Sequence, residues 1–127
     1  MQKIIDWTLP IITVSEANLS EHWSCRHKRH RVQKRYIDLA FHNWRIESFP
    51  KQISLPCTVI MTRISPRTLD EEDNLRMALK SVKDSIASEI KPGLEPGRAD
   101  DDKNITWEYA QKKGKPKERG LKIEIYC

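Results

Sequence analysis

The chain has 127 residues, enough for one compact core of modest size, and residues 1–127 read as a single domain. Hydrophobic residues make up 38% and charged residues 32%, a polar balance in which the four Trp argue against disorder. A net charge of +5 and a pI of about 9.2 favour nucleic acid or an anionic surface as partner. Cys25, Cys57 and Cys127 are scattered, with no C-x-x-C, which fits a reduced intracellular chain without a disulfide framework. No apolar run approaches the roughly 20 residues that span a bilayer, and the first residues lack the pattern of a signal peptide. The expectation is therefore a cytoplasmic protein with no membrane partner.

Residues 2–14 carry two apolar runs, Ile4-Ile5 and Ile11 to Val14, separated by Pro10, and predict one or two strands with the proline at an edge or bend. A long helix is expected from about Glu21 to Trp44, starting near Ser20. It contains no Gly or Pro, and Val32, Tyr36, Ala40 and Trp44 recur at four-residue spacing. Its first half is cationic, with Arg26, Lys28, Arg29, Arg31, Lys34 and Arg35, and predicts a helix that contacts phosphates. His22, Cys25, His27 and His30 crowd the same region, but their spacing matches no standard zinc signature.

Residues 45–56, with Pro50 and Pro56, read as a loop or short edge strand. Cys57 to Ile64 is β-branched and apolar and predicts a strong strand, ended by Ser65-Pro66-Arg67. The run Asp70-Glu71-Glu72-Asp73 follows, where this strand hands over to a helix of about Glu72 to Ile90. Leu75, Ala78, Leu79, Val82 and Ile86 form the buried stripe of that helix, while Asp73, Lys80 and Asp84 share a narrow arc on the other side. After the turn K-P-G-L-E-P-G comes a second acidic run, Asp100-Asp101-Asp102. Two alternating segments, Ile105 to Tyr109 and Leu121 to Ile125, predict an antiparallel hairpin with a cationic tip bearing Lys112, Lys113 and Lys115.

These elements predict an α+β fold, a small mixed sheet packed with two main helices. Two acidic clusters separated by one helix are expected to converge at one end of that sheet. Carboxylates gathered there form a hard, oxygen-rich site suited to Mg²⁺, which activates water and neutralises charge on a scissile phosphate. Lys80 is the candidate for stabilising charge that develops on phosphorus. No Gly-rich phosphate loop and no G-x-S-x-G is present. Divalent-metal hydrolysis of phosphodiesters makes the best use of these residues. The alternative is a non-catalytic basic DNA-binding protein that uses the cationic helix and the loop tip.

The order of strand, acidic cluster ending in Asp73-Asn74-Leu75, helix with Lys80 and Asp84 four apart, acidic pair and paired strands resembles the RusA family of Holliday junction resolvases, from Val59 to Ile125. The resemblance implies a homodimer of small mixed α/β subunits, encoded by a phage or prophage. It implies binding of branched DNA and paired nicking across four-way junctions with Mg²⁺ or Mn²⁺, in recombination and repair. Asp73-Asn74 matches the Asp-Asn of the family's Asp-x-Asp-Asn motif. Glu71 or Asp70 stands for the first aspartate, and Asp101-Asp102, or Asp100 by a shift of one, for the downstream pair. Lys80 stands for the helix lysine, three residues further from Asp73 than in the family pattern.

Overall fold

A computed structural model describes residues 1–16, 20–70, 74–91 and 102–127. The element order is β1 (Lys3–Leu9), α1 (Trp23–Glu47), β2 (Cys57–Ser65), α2 (Asn74–Ile90), β3 (Ile105–Lys113) and β4 (Gly120–Tyr126). The fold is α+β: a four-stranded mixed sheet in the order β1-β4-β2-β3, with two helices.

β2 takes the centre because its sequence demands it. Its residues alternate between buried and half-buried, so one face is sealed in the core and the other is only partly open to water. It pairs in parallel with β3, Cys57 opposite Ile105 and Ser65 opposite Lys113, and antiparallel with β4, Val59 opposite Ile125. The helices cover the face that carries Val59, Met61, Ile123 and Ile125, all inaccessible to solvent. β1 closes the other side against β4, with Ile5 opposite Ile125 and Leu9 opposite Leu121.

One expectation changes here. The segments after the second acidic run are strands, but they are not a hairpin, because β2 lies between them. Alternation and a short loop are common to both arrangements. The most apolar strand gains two partners only if β3 and β4 flank it, and the loop 114–119 crosses its end, where Gly114 N donates to Ser65 O at 2.8 Å. The N-terminal region makes one strand, within the expected one or two, ending before Pro10. Ile11 and Thr13 are buried outside the sheet, and the Gln33 amide donates to Ile12 O at 2.9 Å.

α1 begins at Trp23 rather than near Ser20. His22 caps it, its Nδ1 accepting from Ser24 N at 3.2 Å. The buried stripe is Gln33, Ile37, Phe41 and Trp44, one residue on from the expected Val32, Tyr36 and Ala40. Val32 and Tyr36 remain exposed, and Ala40 is half-buried. Both stripes have four-residue spacing, so periodicity alone does not choose between them. The choice is made by the fit of Phe41 against Trp7, an edge-to-face contact with ring centroids 5.0 Å apart. On α2 the expected buried residues Leu75, Ala78, Leu79, Val82 and Ile86 are all in the core.

Candidate active site

The turn from β2 into α2 is held from below by an arginine. Arg63 occupies an inward position of β2 and is only 6% exposed. Its Nε donates to Thr13 Oγ1 at 3.1 Å, Nη2 to Thr13 O at 3.3 Å and Nη1 to Arg67 O at 2.8 Å. Burial, with Arg119 nearby, pushes this guanidinium below its usual pKa. From above, Leu69 is tied to β3: Leu69 N donates to Gln111 Oε1 at 2.8 Å, and Gln111 Nε2 donates to Leu69 O at 2.5 Å. The next residue, Asp70, is exposed at the N-terminal end of α2. Its carboxylate accepts from Asn74 N at 3.3 Å and from the Asn74 side-chain amide, and its carbonyl accepts from Leu75 N at 3.0 Å. Ser15 Oγ in turn donates to Asn74 Oδ1 at 2.6 Å. A carboxylate here is favoured by the unpaired N–H groups and the positive end of the helix dipole. Glu71 and Asp73 lie outside the described residues.

Asp102, the last residue of the second acidic run, stands at the other end of the sheet. Asp102 immediately precedes β3: its carbonyl accepts from Ile105 N at 3.1 Å and its carboxylate from Asn104 N at 2.8 Å. Lys91, just past α2, forms an ion pair with it. Asp100 and Asp101 lie outside the described residues. Ile105 sits opposite Cys57, the first residue of β2, whereas Leu69 is bonded to Gln111, six residues further along β3. At about 3.3 Å per residue this separates the ends by roughly 20 Å. α2, with 17 residues, spans about 25 Å between them. The expected convergence within one subunit therefore does not occur between Asp70 and Asp102. The reason is topological: a helix between two parallel strands starts at one end of the sheet and returns the chain to the other.

The Lys91 ammonium, followed by the Asn104 N–H, lowers the Asp102 pKa from the ordinary carboxylate value. Because the folded value lies below the unfolded one, the associated stabilisation is fully present above about pH 4 and fades as pH falls through the lowered pKa. Lys91→Met is expected to return the Asp102 titration midpoint toward the ordinary range. Carbon-detected NMR of the side-chain carboxyl reads this directly, and an unchanged midpoint would remove Lys91 as the cause.

Lys80 is exposed on α2, roughly 9 Å along the axis from Asn74, and its Nζ is 3.4 Å from Asp84 Oδ1. The cationic half of α1 divides by partner. Arg29 is held by Glu16 and by Glu21, the latter at 2.7 Å, and Arg26 reaches Glu16 at 3.8 Å. Lys34 pairs with Asp38 at 2.6 Å. Arg31 and Lys34, with His27 and His30, line a groove of about 410 Å³ whose other wall is Ser81, Asp84, Ser85 and Ser88 of α2. Arg35 lies beyond it, and Lys28 lines a separate groove with Ile12, Val32 and Tyr36. Lys112 and Lys113 end β3, and Lys115 opens the loop that follows, its N–H donating to Glu118 Oε1 at 3.0 Å.

Sequence reasoning missed Arg63. The signal was available, since Arg63 shares the inward phase of Cys57, Val59 and Met61, apolar side chains on that face. It also missed Glu16 and Glu21 as counter-charges to the basic helix.

Among the described residues, no three His, Cys, Asp or Glu side chains come together as a metal cluster. Among the same residues, no helix is long and apolar enough to cross a membrane. Comparison with protein-family models, curated proteins and solved structures gave no match.

Proposed function

We propose that this chain is a Mg²⁺-dependent, structure-selective DNA endonuclease of the RusA type, acting as a homodimer on Holliday junctions or other branched DNA in a phage or prophage setting. The observation that carries the reading is the acidic turn at the C-terminal end of β2. Arg63, Gln111 and Ser15 brace it at the head of a helix, in a protein of net charge +5. Strand ends braced in this way hold functional groups on a rigid frame while leaving them accessible. Asp73, with Glu71 or Asp70, supplies one part of the metal site, and Asp101 or Asp102 the other. The exposed Asp70 carboxylate suits the ion, which when bound supplies Lewis-acid activation and charge neutralisation. Lys80 presents a cation to the phosphate region, and Arg31, Lys34 and Arg35 offer contacts to the backbone.

The homodimer supplies what one subunit lacks. Since Asp70 and Asp102 stand at opposite ends of a subunit, a two-fold pairing with antiparallel axes sets the Asp70 end of one copy beside the Asp102 end of the other. The symmetry repeats the arrangement, so a dimer carries two such sites. Two symmetric cuts across a junction require two.

The engagement of Asp102 with Lys91 favours a second reading, a DNA-binding protein that does not cut. A nicking assay on a synthetic four-way junction separates them. The nuclease reading expects symmetric nicks with Mg²⁺ or Mn²⁺ and none in chelator. Junction binding without nicking in either metal would leave only the second reading.

A further inference from the structure

The edge of the molecule formed by α2 and β3 carries cations set against aromatic rings. Arg76, Lys80 and Lys83 follow one another at i, i+4 and i+7 along α2, within a narrow arc about 100° from the apolar stripe. The Arg76 guanidinium lies 5.3 Å from the ring centroid of Tyr109, and the Lys83 ammonium 5.4 Å from that of Trp107. Both rings belong to β3, the last strand of the sheet among the described residues, and both are half-buried. The rings hold the cations by cation–π attraction, which limits their freedom before any ligand arrives.

Arg76 is in the first turn of α2, where a cation opposes the helix dipole. A ring contact offsets that cost only in part, whereas an anion at this position removes it. The three cations span about 10.5 Å of helix axis. One strand of B-DNA advances about 3.4 Å per phosphate, so that span covers about three phosphate steps. The stripe also starts two residues after Asn74, which binds the Asp70 carboxylate.

We propose that Arg76 and Lys83, braced by Tyr109 and Trp107, form together with Lys80, which lies beside Asp84, a track for the phosphate backbone of one DNA strand, running along the α2–β3 edge toward the acidic turn. The inference rests on the DNA-binding reading given above and assigns it a path. The track reads no bases, since nothing in it beyond phosphate-contacting cations faces the strand. It directs a strand lengthwise along α2, so that the phosphate beyond the Arg76 end arrives at the carboxylates.

The test is the salt dependence of binding to a fluorescently labelled four-way DNA junction, measured in chelator so that cutting plays no part. Arg76→Gln/Lys80→Gln/Lys83→Gln is expected to weaken binding at least tenfold at moderate salt. It should also reduce the slope of log K against log salt by about 2–3, near 0.9 for each phosphate that is no longer neutralised. Tyr109→Leu, which keeps an apolar side chain under Arg76, is expected to move affinity in the same direction by a smaller factor. If the triple variant does not fold, Arg76→Gln alone carries the test, with an expected slope change of about 1. A folded variant with an unchanged slope overturns the track and leaves the nuclease reading standing. Failure of the wild-type protein to bind the junction at low salt overturns both.

Discussion

Phe41→Ala is expected to destabilise the protein by about 3–5 kcal/mol, the range for removing a buried aromatic side chain. Phe41 is fully inaccessible to solvent on the inner face of α1. Its ring meets the edge of Trp7 on β1 at 5.0 Å, and Arg45 closes over it with the guanidinium 5.5 Å from its centroid. Truncation therefore opens a cavity between helix and sheet, and it removes the contact that fixes the rotation of α1. Since small domains are stable by about 5–15 kcal/mol, a loss of this size takes a large share of the total. Val32→Ala provides the contrast, because Val32 is 45% exposed and lies on the stripe that periodicity also allows. It is expected to cost well under about 1 kcal/mol. Urea denaturation should show the midpoint of Phe41→Ala displaced with little change in slope. Equal costs at the two positions would mean that α1 is rotated from the orientation described.

Asp73→Asn is expected to abolish cutting of a four-way junction while leaving binding unchanged or slightly tighter. Asparagine keeps the size of the side chain and loses the charge that, in the proposed site, holds a divalent cation. Loss of a supporting partner around a metal site typically costs about 10–100-fold, and loss of a ligand should cost at least that. Binding should not weaken, because removal of a negative charge beside the DNA lowers repulsion. Cleavage rates and gel-shift affinities measured on the same preparation check both halves. Retained cutting would remove Asp73 from the metal site.

What could be read from the sequence was local. The buried stripe of α2 rests on side chains within one helix, and periodicity assigns them correctly. β2 is recognisable because its residues are β-branched and apolar throughout. The errors arose where the answer depended on segments far apart in the chain. Val32 and Gln33 head stripes of equal spacing, and only Trp7 decides which faces inward. The segments around Trp107 and Ile123 alternate as a hairpin would, yet β2 outcompetes each as the neighbour of the other. Arg26 and Arg29 add to the basic count of α1, but Glu16 and Glu21, which precede the helix, neutralise them. The candidate site shows the same limit. Its acidic runs are plain in the sequence, but which end of the sheet each one occupies is a property of the β2–α2–β3 crossover.

Because of that crossover, the proposed site can draw carboxylates from opposite ends of the subunit only across a dimer. Mixing two inactive proteins, Asp73→Asn and the double variant Asp101→Asn/Asp102→Asn, under conditions that allow subunits to exchange, tests this. In a mixed dimer one site loses both sets of carboxylates and the other keeps both. A shared site predicts that each variant alone is inactive and that the mixture nicks the junction, one strand at a time. A mixture as inactive as its parents, from subunits shown to exchange, would contradict a site shared between subunits.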